Sequence, residues 1–432
     1  MQALQLILTL TLLVLVHEFG HFTFAKLSKT RVDKFYIFFN PWFSLFKFQK
    51  GETTYGIGWL PLGGYCKIAG MVDESMDSDQ LKSDPQPWEY RSKPWGQRFM
   101  IIIGGVLFNF IAAIIIYSAM AYSWGHSYLP LKNLEYGVFC DSTALNMGFQ
   151  NGDKILRVDG VEPKTLADAV GDILLNDAKT VTVNRNGREV ELSVPETIGR
   201  QIIANPNSFF LMESFPFVID SIMPNTPAAN SDLQVGDKIL AIDSVSTESF
   251  QSFTLNVKEF KGKDVTLTVL RHGFEEKIPI TISEEGKIGA YTKTAYNQFE
   301  IVTETYSLLE SIPEGIKMGV NTLTFYVKQF KLVFTKEGST QVGSFVSMGK
   351  MYDETWNWRN FWSLVALFSV VLAFMNILPI PGLDGGHLLF LIVELIIRRK
   401  PSEKFLMKAQ AIGMAIIFAI FFYALFLDFG RL

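Results

Sequence analysis

The sequence predicts a polytopic α-helical membrane protein with four spans and a large polar insert. Three observations predict it. Of 432 residues, 48% are hydrophobic and only 19% charged, against roughly 25% charged in soluble domains. Four apolar stretches reach the roughly 20 residues that a helix needs to cross a bilayer. Between the second and third lies a long polar segment containing a repeat. The net charge of −4, without a basic stripe, argues against a nucleic-acid partner. Two cysteines, Cys66 and Cys140, are too few for a disulfide framework; the topology below puts them on opposite sides of the bilayer, where they could not pair.

The first stretch, residues 1–25, has no Lys or Arg ahead of its apolar run and no small-residue cleavage site after it. It therefore reads as a retained span rather than a signal peptide. Inside it stands His17-Glu18-Phe19-Gly20-His21. On a helix, two His four residues apart lie on one face, one turn apart, as a shared zinc ion requires. Glu18 is then placed as the base that deprotonates water. Ionisable groups are expensive at membrane depth and point to function; the competing reading is a pair of hydrogen-bonded core histidines.

Residues 26–97 are rich in Lys and Arg, as is the link Arg398, Arg399, Lys400 and Lys404 between the last two spans. Both are expected in the cytoplasm. The aromatics Phe35, Tyr36, Phe38, Phe39, Trp42, Phe43 and Phe46 read as membrane-interface anchors. The second span covers 98–124. In the outer segment, Asn151-Gly152-Asp153-Lys154-Ile155-Leu156 is echoed 84 residues later by Val235-Gly236-Asp237-Lys238-Ile239-Leu240. Each copy continues into an alternating strand, near Val181 and Val265, before a turn. Two small tandem domains are expected, at 127–208 and 213–292. Region 300–360 reads as an amphipathic helical region: Leu308, Leu309, Ile312, Ile316, Val320 and Leu323 recur at helical spacing among charges, suiting a membrane surface or the outer domains.

The third span, 361–397, is broken by Pro379 and Pro381; the fourth covers 404–428. The break contains Asn376, Asp384 and His387. Irregular backbone at membrane depth requires cover by protein or a cavity, and an acidic group there calls for a cation. Asp384 is a candidate third ligand, or alternatively the N-cap of the following helix. His387 is the rival ligand. Asn376 either contacts substrate or satisfies carbonyls freed by the break.

HExxH in the first span with N-x-x-P-x-P-x-L-D-G-G in the third resembles the site-2 protease family of intramembrane zinc metalloproteases. The repeats resemble PDZ domains, which narrows the resemblance to the regulator of sigma-E protease group. The resemblance implies Zn2+ held by His17, His21 and Asp384, Glu18 as general base, and Asn376 at the substrate backbone or oxyanion. It implies a membrane-re-entrant β-hairpin on the cytoplasmic side. Leu60-Pro61-Leu62-Gly63-Gly64-Tyr65 resembles the loop strand thought to extend the substrate, so Gly63 and Gly64 join His387 as secondary site residues. Where that group carries Gly-Phe-Gly-Pro, this chain has Phe38-Phe39-Asn40-Pro41. The implied setting is a bacterial inner membrane, with periplasmic PDZ domains that bind peptide or substrate segments and an active site toward the cytoplasm. The implied substrates are single-span membrane proteins, such as an anti-sigma factor or a remnant signal peptide. An intramembrane metal transporter and an inactive PDZ receptor are the alternatives; neither needs a base at Glu18.

Overall fold

The protein, a computed structural model, is described at residues 1–60, 63–71, 84–176, 178–204, 208–247, 249–335 and 343–430. It has two compact units, Met1–Gly125 with Thr305–Leu432, and His126–Glu304.

The first unit is helical. Its helices are α1 (Gln2–Leu27), α2 (Trp95–Trp124), α3 (Leu308–Val333), α4 (Phe345–Lys350), α5 (Trp358–Ile377), α6 (Asp384–Ile397) and α7 (Glu403–Gly430). Among the described residues, α1, α2, α5 and most of α7 are long and apolar enough to cross a membrane. Local chemistry sets their ends. Helix α2 follows Pro94, and closes on Gly125 at φ 64°, a left-handed value that glycine adopts freely. The Asn357 side chain accepts the Arg359 and Asn360 N–H groups that α5 leaves unpaired. Helix α5 stops at Ile377 because Pro379 and Pro381 donate no hydrogen bond and push their predecessors out of the helical region. The single broken span thus becomes two helices joined by residues 378–383.

Helices α1 and α2 touch through backbone. A Cβ on Gly104 would lie 2.7 Å from the Gly20 carbonyl oxygen and 2.7 Å from Phe24. Small residues permit such close helix approach in membranes. Helix α5 packs on α2 with Ala366 and Val370 fully buried, and the Ser369 hydroxyl donates to the Asn109 carbonyl at 2.7 Å.

Helix α3 differs from the expectation of a helix on the membrane surface or the outer domains. Its Met318 and Leu323 pack on Ala113, Tyr117, Ala366 and Val370 of α2 and α5. Tyr117 and Thr322 hydroxyls lie 3.3 Å apart, and Phe330 meets Phe374 at 5.2 Å between rings. The sequence shows that α3 has an apolar face; it does not show that α2 and α5 offer a matching one.

Between α1 and α2, strands β1 (Val32–Ile37), β2 (Phe46–Lys50), β3 (Thr53–Ile57) and β4 (Tyr65–Ile68) form one sheet in the order β2-β3-β1-β4. β2 and β3 make a hairpin; β1 runs parallel to β3 and antiparallel to β4. Among the described residues, β4 is therefore an edge. Trp42, Phe43, Leu45, Phe46 and Phe48 around the hairpin are exposed. Phe38 holds φ 68°, where the resembled group carries glycine; a bulky residue there stores strain of about 1–3 kcal/mol.

The second unit holds the repeat. Each copy has its own core, one around Val181, Val183 and Phe149, the other around Phe217, Ile239 and Leu267. In the first, Lys154–Val158, Thr180–Arg185 and Arg188–Ser193 form a sheet, and Val138–Cys140 pairs with Leu211–Glu213. That pairing carries the first copy past 208 to Glu213. In the second, the order is Phe274–Thr281, Asp264–Arg271, Lys238–Ile242, Phe217–Ile222, Ala290–Thr292. The repeated Gly-Asp is structural in both. Gly152 and Gly236 take φ 89° and 96°. Asp153 accepts two hydrogen bonds from Arg185, and Asp237 two from Arg271. Burial would raise the Asp237 carboxyl, but the Arg271 guanidinium prevails and holds it below the usual range. The unit's ends are tied where His126–Tyr128 pairs with Val302–Glu304.

Candidate metal centre

The α1 helix carries His17 and His21 one turn apart, on the face pressed against α2. The His21 Nδ1 lies 2.8 Å from the Ile101 carbonyl oxygen. A carbonyl only accepts, so Nδ1 carries the proton and Nε2 presents its lone pair. The His17 Nδ1 lies 3.2 Å from the Asn109 carboxamide, whose Oδ1 has no partner and whose atoms are buried. Amide orientation follows from the network, and turning the amide lets Oδ1 accept the His17 Nδ1 proton. Both Nε2 atoms then face the same point.

Asp384 opens α6 but does not cap it: the N-cap is Leu383, with no side-chain cap bond. The carboxylate instead reaches α1, its Oδ2 3.2 Å from His17 Nε2 and 3.3 Å from His21 Nε2. The two Nε2 atoms are 3.2 Å apart. A tetrahedral zinc with N and O ligands at about 2.0–2.1 Å spaces its donors about 3.3 Å apart. Asp384 Oδ2 is buried without a hydrogen bond. Three converging lone-pair donors with no proton between them repel unless a cation joins them, so the residues fit zinc. Helix α6 is itself pinned: Arg98 donates to both Glu394 oxygens at 2.8 and 2.6 Å, and the Trp95 indole donates to the Leu391 carbonyl.

Among the described residues, the group that can hold a metal is His17, His21 and Asp384. His387 is outside it. The rival third ligand lines the cavity that the three donors share with Glu18 and Gly64. The cavity, about 750 Å³, is bounded also by Asn40, Tyr65–Ile68 of β4, Gly382, Gln410 and Met414. The Cys66 backbone N–H donates to the Glu18 carboxylate. Asn376 points its amide at His17, 3.4 Å from Nε2. Gly63 is not in the cavity wall; Pro61 and Leu62 of that motif lie outside the described residues.

Sequence reasoning missed Asn109 and Gly105. Asn109 carried a signal, since it is the sole polar side chain between Arg98 and Tyr117 of a spanning helix. Gly105 carried none. A Cβ there would lie 2.5 Å from His21 Nε2 and 2.6 Å from His17 Cε1, so the glycine makes room for both rings. Gly105→Ala should displace an imidazole by a large fraction of an ångström and lower any metal-dependent activity of the centre by about a hundredfold. Zinc content should fall with it, read by metal analysis; full occupancy with unchanged turnover would refute the packing argument.

Two histidines on a helix of spanning length thus converge with an aspartate from the first turn of α6, and Glu18 lines the same cavity, a donor set suited to a metallohydrolase. The peptidase family M50 profile matches residues 5–420. The regulator of sigma-E protease RseP of Escherichia coli is 28% identical over 99% of this chain and 98% of its own. The regulator of sigma E protease of Haemophilus influenzae is also 28% identical, with the same coverage. Among solved structures, the PDZ domain of an SdrC-like protein from Listeria innocua aligns at 26% identity with 19% of this chain and 99% of its own, with a TM-score of 0.17. The chain belongs to peptidase family M50. It is a membrane metallopeptidase.

Proposed function

We propose that this chain cleaves single-span membrane proteins within the bilayer, with Glu18 as general base and acid and with His17, His21 and Asp384 holding Zn2+. The observation that carries the reading is the meeting of α1 and α6 at one donor cluster whose cavity also contains Glu18. When bound, zinc supplies Lewis acidity, which brings the pKa of water down to about 7. Glu18 would take a proton from a water molecule in the cavity. The water oxygen bonds to the scissile carbonyl carbon, the carbon–nitrogen bond breaks, and Glu18 returns the proton to the departing amine. The Asn376 amide stands beside His17, where it steadies the negative charge that builds on the carbonyl oxygen.

A helical substrate hides its peptide bonds in its own hydrogen bonds. The β4 strand, an edge among the described residues, lines the cavity and offers backbone groups to an extended strand instead. The exposed aromatics around the β2–β3 hairpin form an apolar patch suited to dipping into the membrane. The Lys- and Arg-rich flanks support an orientation with that sheet and the cluster toward the cytoplasm. The two outer repeats are then PDZ-like domains on the periplasmic side of a bacterial inner membrane. The substrates are anti-sigma factors or remnant signal peptides.

The test uses purified protein in proteoliposomes with a single-span substrate. A chelator should abolish cleavage, and stoichiometric zinc should restore it. Cleavage that survives complete removal of zinc, measured on the same sample, ends this reading.

A further inference from the structure

The cavity has one wall with no part in the chemistry above. Helix α7 packs on the break between α5 and α6 through Gly413, where any side chain would run into the Pro381 carbonyl. Opposite it, Gly382 holds φ 103°, and a Cβ there would lie 3.1 Å from Ile417 and 3.2 Å from the Met414 nitrogen. The face turned to the break is thus Gln410, Gly413, Met414 and Ile417, spaced as one side of a helix. Gln410 and Met414 both line the cavity that holds Glu18 and Asp384.

Gln410 is 2% exposed. No hydrogen bond or ion pair joins its carboxamide to the described residues. A leucine would suit this apolar helix, so a carboxamide on the cavity wall with no protein partner calls for one inside the cavity. Three other polar side chains of the wall, Tyr65, Asn40 and Glu18, are engaged. Tyr65 donates to Asn40 at 2.9 Å, and Asn40 donates to Ser44 at 3.1 Å. Glu18 accepts from Cys66. Gln410 alone among these brings an uncommitted donor and acceptor together.

That pair matches one peptide unit. An extended peptide laid on the β4 edge satisfies only the N–H and C=O groups that point toward β4; the alternate groups point away and need other partners. We propose that Gln410 is a substrate-binding residue whose carboxamide hydrogen-bonds the main chain of the extended substrate at the groups that β4 leaves unpaired. The inference rests on the endopeptidase reading. It gives α7 a role in holding substrate, independent of side-chain sequence because the contact is to backbone.

The test is Gln410→Met, which keeps length and volume and removes both hydrogen-bonding groups. In zinc-loaded proteoliposomes with a single-span substrate, KM should rise about five- to tenfold, the value of one such bond, with kcat within about twofold. In a Glu18→Gln background, the Kd for a fluorescent substrate peptide should rise by the same factor, with zinc content unchanged. Gln410→Leu gives the same readings should the Met variant fail to accumulate. Unchanged KM and Kd, or a loss of zinc in step with activity, would overturn the proposal. Wild-type protein that cleaves while Gln410→Met matches it brings down this inference alone; zinc-loaded wild-type protein that does not cleave brings down the endopeptidase reading and this inference with it.

Discussion

Glu18→Gln should lower cleavage about 10²–10⁴-fold, the usual worth of a positioned general base, while zinc stays bound at wild-type level. The two halves of this expectation come from different observations. Glu18 lines the cavity but is not one of the three converging donors, so its carboxylate is not needed to hold the ion. Glutamine has nearly the same shape, and its Oε1 still accepts the Cys66 backbone N–H, so β4 should keep its place against α1. What glutamine cannot do is take a proton from water and return it to the leaving amine. The expected signature is therefore a folded, zinc-replete, substrate-binding protein with almost no turnover. Cleavage in proteoliposomes and zinc content on the same preparation check it. Near-normal turnover would remove Glu18 from the chemistry; loss of zinc would make it a ligand instead.

The parts of this site that were legible in the sequence share a physical reason. HExxH in a span and an aspartate after two prolines are local patterns whose cost at membrane depth demands explanation. The spans follow from length and hydrophobicity, and the break from two residues that cannot continue a helix. What was not legible depends on which faces meet. Gly105 matters because α1 and α2 cross at Gly20 and Gly104, a fact of three-dimensional contact that no stretch of α2 records. The place of α3 beside α2 and α5 was lost for the same reason: its charges excluded a span, but its apolar face named no partner. The sheet between α1 and α2 inserts β1 between β3 and β4, and this parallel pairing has no local signature comparable to a hairpin turn. Phe38 shows the converse. A bulky residue disfavours a positive φ, yet Phe38 holds 68°, so the loop's shape is held by its surroundings rather than by its own preference.

Asp384→Ala should cost the protein its zinc, and His387→Ala should not. Both residues stand in the first turn of α6, three positions apart, and from sequence either completes the set begun by His17 and His21. The structure separates them. Asp384 Oδ2 lies 3.2 and 3.3 Å from the two Nε2 atoms, while His387 stands outside the group that can share one ion. Removing a residue that only orients a ligand weakens metal binding roughly 10–100-fold; removing one of three protein ligands should cost more than that. Two histidines on a single helix would remain, with no group from α6 to close the coordination. The loss should therefore reach cleavage as well, leaving Asp384→Ala below detection even with zinc in excess of what saturates wild type. His387→Ala should retain one zinc per chain, so any fall in its turnover would report on substrate rather than metal. Zinc titrations of the three proteins, followed by cleavage at each occupancy, decide the matter: a zinc-replete Asp384→Ala beside a zinc-depleted His387→Ala would transfer the third ligand to the histidine and require the first turn of α6 to rotate from the position described.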